Sequence, residues 1–461
     1  MKEFDSEIVS GSVLKSVWKL AWPSVLLSLI NGSSGFVDHV LVGHFVNSNA
    51  NAAMGIAQQA FLVVIVFVSS LFNGMAVLVA RYAGMRRRED VADVVYHTFL
   101  AALMFQIFIV APLGYISAPL LLDLANAEEQ VQVHALPFLR IMFTCSTTVF
   151  MQFMLTGALQ ASGNPKTPLV LGILSTIINI VLSSALITGF GPFPTLGAPG
   201  AALGTVISPI PSILIALYLI ASGKLIIGLP KRLTLLPDPK IVWEAARIGI
   251  PTGIQAVLLN IGGFMLLHYI GALPDSAEAQ AAYTICYSQL FSFISWTAFG
   301  LRSASSAIMG QNIGAGNIER GKHGVYVTTM IGFLWACGFG LLFFFLPAPL
   351  LAIFRVTTEP TLGFGVDFLR YLAFSGLFLA TALALTGGLQ GAGDTKSPMW
   401  IALITQIGVL LGTCEVLYRL GMINTHVIWI AILVSHTSRM LLTAIVFQRG
   451  KWRNIKVQLR A

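Results

Sequence analysis

Twelve long apolar stretches separated by short polar loops make up most of this sequence. A helix needs roughly 20 predominantly apolar residues to cross the hydrocarbon core of a bilayer, and each stretch is long enough to do so. Glycine and proline inside the stretches do not argue against helices, because both are frequent in membrane helices. The pattern predicts an all-α integral membrane protein with twelve transmembrane helices, near residues 16–44, 52–80, 93–119, 135–158, 168–190, 198–222, 241–271, 278–306, 324–350, 364–387, 398–418 and 425–448.

A phrase of 14 residues occurs twice in this chain of 461. Residues 155–168 read LTGALQASGNPKTP and residues 385–398 read LTGGLQGAGDTKSP, so eight positions are identical at a shift of 230. Pro23 and Pro251 also match, at a shift of 228. A duplicated half embedded in apolar sequence is typical of transporters built from two helix bundles.

The duplication divides the twelve predicted helices into two sets of six. Because six is even, both halves enter the membrane from the same side, so the bundles should be related by a pseudo-two-fold axis along the membrane normal. The expected parts are an N-terminal six-helix bundle, a linker, a C-terminal six-helix bundle and a basic tail, at 1–222, 223–240, 241–448 and 449–461.

Pro23 and Pro251 lie at matching depth in the first helix of each half. A proline removes a backbone hydrogen bond and loosens a helix, so we expect both helices to bend at these points. For either proline taken alone, a kink that only helps packing is an equally good interpretation.

Charged residues are scarce and unevenly placed. The chain is 56% hydrophobic and 10% charged, against about 25% charged in soluble proteins. Of 27 lysines and arginines, four lie towards one side of the predicted membrane (Arg140, Arg355, Arg370 and Arg419) and 23 lie elsewhere. Cytoplasmic loops carry the excess of positive charge, so we expect both termini in the cytoplasm and the protein in a bacterial or archaeal inner (plasma) membrane. The basic residues occupy short loops without interleaved aromatics, so no nucleic-acid partner is expected.

Asp38 is the one carboxylate in the middle portion of a predicted helix. Placing a carboxylate at the centre of a membrane helix costs about 2.5–3.5 kcal/mol, and such residues usually face a bundle interior and take part in proton or ion transfer. The position that faces Asp38 in the second half is Leu266. We therefore expect Asp38 to be the ion-coupling residue. The alternative is a solvated aspartate at a helix end, paired with His39 or His44.

Three polar side chains of the same half lie at a depth similar to that of Asp38. Asn179 and Ser183 are one turn apart in the fifth helix, and Thr205 lies in the sixth. All three could hydrogen-bond a protonated carboxyl group or offer oxygen atoms to a small cation. Taken singly, a serine or threonine in a membrane helix more often bonds its own backbone or a neighbouring helix.

Other chemistry is poorly represented in the sequence. In the second half, Asn260 and His268 are the candidates for polar contact with a substrate. The chain has no phosphate-binding loop and no pair of catalytic carboxylates. We therefore expect a protein that is not an enzyme and holds no cofactor. Its energy should come from an ion gradient, with H⁺ or Na⁺ as the coupling ion, or from the substrate itself.

Several motifs together resemble the multidrug and toxic compound extrusion (MATE) family. They are the doubled Leu-Gln-x-x-Gly-Asn/Asp-x-Lys-Thr/Ser-Pro, GQNIGAG at 310–316, Leu196-Gly197-x-x-Gly200-Ala201-Ala202, and Phe36-Val37-Asp38 followed by Gly43. The resemblance runs from about residue 13 to 448. It implies a 6+6 helix bundle that exports cationic, amphipathic drugs or related organic compounds in exchange for protons or sodium ions. Its partners would be small organic molecules and the lipid bilayer, and we expect a monomer.

The resemblance also assigns roles to individual residues. It implies that Asp38 corresponds to the coupling aspartate of the DNA-damage-inducible (DinF-like) branch, and Thr205 to a sixth-helix threonine of the same site. Asn179 corresponds to the asparagine of a fifth-helix Asn-x-x-x-Asp pattern, whose aspartate is Ser183 here. Sodium at Asp38, Asn179 and Thr205 remains open, but the loss of one anionic ligand favours protons, since a hard cation prefers carboxylate oxygens.

The second half departs from the other main branch. The acidic residues that the NorM branch places in the seventh and tenth helices are Leu259 and Leu379 here, so the resemblance is closer to the DinF-like branch. Adaptable apolar side chains suit varied ligands, and ordinary packing is the alternative for each candidate. The candidate substrate cavity in the fourth helix comprises Phe150, Met151, Phe153 and Met154.

A different function stays open within the same superfamily, which also contains flippases for lipid-linked precursors. Those proteins commonly carry more basic residues inside the cavity and often have extra helices. Here the predicted count is twelve helices, and the basic residues fall mostly in loops. The sequence therefore favours an exporter over a flippase.

Overall fold

The computed structural model of the chain describes residues 4–124, 128–356, 359–455 and 457, so the end of the predicted basic tail lies outside the described residues. Over these ranges the regular elements are helices and no strand occurs. Ten helices are long and apolar enough to cross a membrane, and an eleventh is obtained when the bent pair Glu129–Cys145 and Thr147–Ala161 is taken as one span. The remaining predicted span, near 278–306, is also helical but is divided into three segments.

Each of the twelve predicted spans thus corresponds to one helix or one run of consecutive helices. We label them α1 (Val13–Phe45), α2 (Ser48–Gly84), α3 (Arg88–Phe105, Gln106–Val110 and Ala111–Leu124), α4 (Glu129–Cys145 and Thr147–Ala161), α5 (Lys166–Thr188), α6 (Ala198–Ile207 and Pro209–Ala221), α7 (Pro239–Gly271), α8 (Ser276–Tyr283, Thr284–Leu290 and Ser292–Gly314), α9 (Ile318–Phe345), α10 (Thr361–Gly391), α11 (Lys396–Ala402, Leu403–Leu411 and Gly412–Arg419) and α12 (Thr425–Arg449).

Five of these helices have interruptions that the apolar pattern does not reveal. Helix α4 bends by 52° at Ser146, and α6 restarts at Pro209 after Ser208. Helices α3, α8 and α11 each contain a π-helical segment. A π turn shifts the side chains that follow it around the helix axis, and such turns are frequent at functional sites.

The doubled phrase forms the same turn in both halves. Gly163, after α4, and Gly393, after α10, have φ of 91° and 89°, a backbone region that favours glycine. The next residue closes the start of the following helix through its side chain: Asn164 donates to Thr167 Oγ1 at 2.9 Å, and Asp394 accepts from Ser397 N at 3.0 Å. The phrase is therefore a structural turn.

The chain folds into two compact units whose boundaries lie inside helices. Unit 1 contains Leu29–Ile250, and unit 2 contains Ser6–Ser28 together with Pro251–Val457. The N-terminal part of α1 thus belongs to the unit formed by the second half of the chain, and the N-terminal part of α7 belongs to the unit formed by the first half. This division differs from the boundary expected at the linker 223–240, because packing between helices defines it. Two bundles in simple chain order stay a prediction.

Small residues let these exchanged helix segments pack closely. In unit 1, a Cβ on Gly249 of α7 would overlap the carbonyl oxygen of Ser70 in α2. In unit 2, a Cβ on Gly300 of α8 would lie 2.5 Å from Val25 Cα in α1. Close backbone approach through small residues is the usual way in which membrane helices associate, so both segments are well fixed in their units.

Candidate functional site

Asp38 lies within unit 1, on the part of α1 that follows the boundary, and its side chain is buried. Its Oδ2 atom accepts a hydrogen bond from Thr205 Oγ1 of α6 at 3.5 Å. The Thr205 hydroxyl also lies 3.0 Å from the carbonyl oxygen of Ala201, so its single proton is shared between the carboxylate and its own helix. The hydroxyl of Ser183 in α5 interacts with the same carboxylate.

Two side chains of this group contain a buried oxygen atom without a hydrogen-bond partner. Asp38 Oδ1 is buried without a hydrogen-bond partner, and so is Asn179 Oδ1 on α5. Asn179 Nδ2 donates to Ser183 Oγ at 3.3 Å, and Ser183 is fully buried. The structure therefore places three of the predicted partners, Asn179, Ser183 and Thr205, around one buried carboxylate.

The close contact of α5 and α6 makes this arrangement possible. A Cβ on Gly204 would overlap Ser183 Oγ and would lie 3.0 Å from Ser183 Cα. One turn earlier, a Cβ on Gly200 would lie 2.7 Å from the Leu186 carbonyl oxygen. Gly200 and Gly204 are four residues apart, the small-xxx-small spacing that lets membrane helices touch. The pair thus positions Thr205 and Ser183 beside Asp38.

The two histidines that could have paired with Asp38 form their hydrogen-bond and ring contacts with other residues, although His39 is close enough to Asp38 for its charge to act on the carboxylate. The His39 ring contacts α2 on both sides, with Nδ1 2.6 Å from Asn51 Oδ1 and Nε2 3.1 Å from Gln58 Oε1. The His44 ring packs edge-on against Phe45 at 5.0 Å. The hydrogen bonds of His39 therefore connect α1 to α2, and they do not involve Asp38.

The predicted bending points lie inside continuous helices. Pro23 is buried within α1 and Pro251 within α7. The boundary between the units falls directly before Pro251 in α7 and five residues after Pro23 in α1. Their role in bending the helices stays a prediction.

The predicted substrate-contact residues occupy different environments. Phe150 and Met154 are 4% and 3% exposed, and the Phe150 ring stacks on Phe61 at 6.1 Å, which fits the packing alternative. Phe153 is 43% exposed and Met151 is half-buried. A role for these four side chains in binding substrate is still a prediction.

The candidates of the second half do not gather at one point. Asn260 is exposed and donates to the Ala256 carbonyl of its own helix at 2.8 Å. His268 is exposed, and its ring packs edge-on against Tyr269 and Tyr418 at 5.6 and 6.4 Å. Neither side chain has a geometry that points to a substrate.

Two buried residues of α12 were missed by the sequence reasoning. Arg439 and His436 are 6% and 5% exposed, and Arg439 Nη2 donates to Gln406 Oε1 of α11 at 2.9 Å. The sequence signal for Arg439 is a charged residue inside an apolar stretch. In the parts of the chain that the structure describes, no group of three or more His, Cys, Asp or Glu side chains could hold a metal ion.

A family model described as MatE matches residues 23–184 and 251–413, one match in each half of the chain. The chain belongs to the MatE family. The two matches agree with the internal duplication, and transporters of this family need no cofactor.

Among relatives, the chain is 26% identical over 460 residues to the probable multidrug resistance protein NorM of Thermotoga maritima, covering 97% of the chain and 95% of the relative. It is 25% identical over 421 residues to the probable multidrug resistance protein YoeA of Bacillus subtilis, covering 91% and 90%.

Solved structures of MATE transporters have the same fold. An outward-facing multidrug resistance MATE transporter of the MOP superfamily superposes with a TM-score of 0.88 at 17% identity, covering 98% of both chains. A MOP superfamily transporter from Pyrococcus furiosus superposes with a TM-score of 0.88 at 16% identity, covering 97% and 98%. Its binding pocket is described as having reverse polarity that suggests a different function. The predicted twelve-helix, two-lobed fold is confirmed.

Membership establishes the general class of the protein. It is a multi-pass membrane protein of the MatE family, and the relatives in Thermotoga maritima and Bacillus subtilis are named as probable multidrug resistance proteins. The finer placement near the DinF-like branch stays a prediction, since several of the relatives carry the name NorM.

Proposed function

We propose that this MATE transporter is a secondary antiporter that exports cationic or amphipathic organic compounds in exchange for protons, coupled through Asp38. The observation that carries the proposal is the buried Asp38 carboxylate with its unpartnered Oδ1 atom. Leaving a buried polar group without a partner costs about 1–3 kcal/mol. A site that keeps such an oxygen available is suited to accepting and releasing a proton.

Protons suit the described residues better than sodium ions. Asp38 is the only anionic side chain in the group, because Ser183 stands where an aspartate would supply a second charge. A hard cation prefers several carboxylate or carbonyl oxygens. A proton on Asp38 turns an acceptor into a donor, which could then serve an acceptor such as Asn179 Oδ1 that lacks a partner.

Protonation would be coupled to movement through α1. Charged Asp38 holds Thr205 and Ser183 by hydrogen bonding and electrostatic attraction, and neutralising it weakens both contacts. The α1 segment near Pro23 could then bend, collapse the cavity of the first half and release substrate. We further propose that both termini are cytoplasmic, that the membrane is the inner membrane of a bacterium or archaeon, and that the transporter acts as a monomer.

The test is transport by everted vesicles with an imposed pH or sodium gradient and the fluorescent cation rhodamine 123. Asp38→Asn should abolish gradient-driven export and leave the protein folded, and Asp38→Glu should retain part of it. The matched control is Asp123→Asn, at the exposed end of α3, which should behave as wild type. Normal export by Asp38→Asn, or export driven by sodium at constant pH, would overturn proton coupling at Asp38.

The second candidate is a flippase for a lipid-linked precursor. The observation in its favour is the buried Arg439, since phosphate groups pair readily with arginine. Proteoliposomes with a fluorescent diphosphate lipid in one leaflet would decide between the two. Gradient-independent exchange of that lipid, with no movement of rhodamine 123, would replace the exporter by the flippase.

A further inference from the structure

We propose that unit 2 contains a binding site for the anionic group of a small organic substrate, formed by Arg439 of α12, Gln406 of α11 and Tyr287 of α8. The group would be a carboxylate, sulfonate or phosphate on an otherwise apolar or aromatic molecule. The proposal rests on the export function proposed above, and it extends the substrate range from cations to anionic and zwitterionic compounds.

Arg439 is a buried positive charge with neutral neighbours. Its Nη2 atom donates to Gln406 Oε1 at 2.9 Å and its Nε atom to Thr405 Oγ1 at 3.4 Å. None of the carboxylates that the structure describes forms an ion pair with it. A buried charge without a counter-ion is costly, and two hydrogen bonds use only two of the five N–H donors of a guanidinium. A bound anion would supply the missing charge, with the bidentate geometry that arginine favours.

A second polar group on α12 also lacks a partner. His436 precedes Arg439 by three residues and therefore lies on the same face of the helix. It is 5% exposed, and its Nδ1 atom has no hydrogen-bond partner. Its ring stacks on Phe291 at 6.0 Å. The face of α12 that carries Arg439 thus offers more hydrogen-bonding capacity than unit 2 uses.

The helices around Arg439 are shaped to bring polar side chains to it. Gln406 lies in the π-helical segment of α11 (Leu403–Leu411), and Tyr287 lies in that of α8 (Thr284–Leu290). On α7, a Cβ at Gly262 would lie 2.7 Å from Gln406 Cδ. Glycine therefore makes room for the Gln406 amide. A π-helical segment that supplies both hydrogen-bond acceptors of Arg439, together with one close helix approach, indicates a built site, since π turns concentrate where function requires them.

Tyr287 gives the site an aromatic wall. Its ring stacks on Tyr283 at 5.2 Å and on Phe291 at 5.2 Å. Phe291 in turn stacks on His436 of α12 at 6.0 Å, so the Tyr287 ring lies next to the pair of rings that contacts α12. The Tyr287 side chain is half-buried, so part of it lies at the surface of unit 2. An apolar or aromatic part of the substrate could contact the exposed part of this ring while its charged group binds the guanidinium.

Two dyes with the same xanthene ring system and opposite charge test the proposal: the anion carboxyfluorescein and the cation rhodamine 123. Fluorescence anisotropy with the purified full-length protein measures binding without requiring transport. Arg439→Gln should weaken carboxyfluorescein binding by at least about tenfold, because a charged hydrogen bond is lost, and Arg439→Lys should retain more of it. Rhodamine 123 binding should not fall. Arg370→Gln removes an exposed arginine of the same unit and should change neither dye.

A second variant covers the case in which Arg439→Gln does not fold. Gln406→Glu places a carboxylate beside Arg439, which keeps the arginine paired and should abolish carboxyfluorescein binding. The inference is overturned if wild type does not bind carboxyfluorescein, or if Gln406→Glu binds it as wild type does. Gradient-driven export of rhodamine 123 without any anion binding would overturn only this inference. Anion binding that depends on Arg439, with no gradient-driven transport of either dye, would overturn the export function instead.

Discussion

Gly204→Ala tests whether close packing of α5 on α6 builds the site around Asp38. The new Cβ would overlap Ser183 Oγ, and it would lie 3.0 Å from Ser183 Cα and 3.1 Å from Ser183 Cβ. Carbon atoms normally pack at about 3.5–4.0 Å. Rotating the hydroxyl away relieves only the first overlap, so α6 must move from α5 by roughly half an ångström.

The expected cost is that of overpacking, about 1–3 kcal/mol, reduced by the better helix propensity of alanine, about 1 kcal/mol. Gly157→Ala is the matched control, because a Cβ there meets nothing within 4 Å. Gly157→Ala gains the same helix propensity without the overlap. The difference in stability between the two variants therefore measures the cost of overpacking against Ser183. At roughly 2–4 °C per kcal/mol, Gly204→Ala should melt several degrees below Gly157→Ala in detergent, followed by tryptophan fluorescence.

The same variant should impair coupling, since Thr205 and Ser183 move relative to Asp38. Rhodamine 123 export should fall in Gly204→Ala and stay normal in Gly157→Ala. Adding Ser183→Ala to Gly204→Ala removes the Oγ overlap and should recover part of the stability, as a double-mutant cycle would show. Equal melting temperatures for Gly204→Ala and Gly157→Ala would refute the reasoning.

Two further variants test the packing and capping of other helices by the same thermal melts. Gly249→Ala should destabilise the protein by about 1–3 kcal/mol, because its Cβ would overlap the Ser70 carbonyl oxygen, a backbone atom that cannot rotate away. The control Gly263→Ala, on the same helix, meets nothing within 4 Å and should gain about 0.5–1 kcal/mol of stability. Similar melting temperatures for both variants would contradict the packing of α7 on α2. Asn424 Oδ1 accepts a hydrogen bond from Val427 N at 3.0 Å and thereby caps the start of α12. Asn424→Ala should therefore lower the stability of the protein by about 1 kcal/mol, whereas Asn424→Asp keeps the acceptor and should lose almost none. An equal loss of stability in both variants would show that the cap contributes no stability.

Much of the fold follows from the apolar pattern, because only helices satisfy their own backbone within a bilayer. The turn formed by the doubled phrase also follows, since Gly163 and Gly393 meet the same backbone requirement. The bend of α4 at Ser146 and the three π-helical segments do not follow, because they depend on how side chains pack against neighbouring helices. A hydropathy pattern indicates where each helix lies in the sequence, but it contains no information on the contacts between helices.

The candidate site also has one part that the sequence predicts and one part that it does not. Asp38 is predictable from the sequence because an intramembrane carboxylate is costly. Thr205 and Ser183 are predictable because they lie at a depth in the membrane similar to that of Asp38. The structure brings the three side chains together. Arg439 lies in the middle portion of α12 (Thr425–Arg449), and it is not predicted because lysines and arginines serve there only to indicate the cytoplasmic side. Its hydrogen-bond partner Gln406 lies 33 residues earlier in the sequence, so their contact depends on how α11 and α12 pack.

The exchange of helix segments between the units sets an order for biogenesis. Residues 6–28 are synthesised before the rest of unit 2, which begins at Pro251, 223 residues after Ser28. At roughly 5–20 residues per second, this first segment waits about 10–45 s in the membrane before its partners exist. Until then it needs lipid or the insertion machinery as its surroundings. Neither unit can be completed from one half of the chain. A gene fragment that ends at the linker would contain the first part of α1, which has no partner in unit 1. It would also lack the first part of α7, which packs against α2.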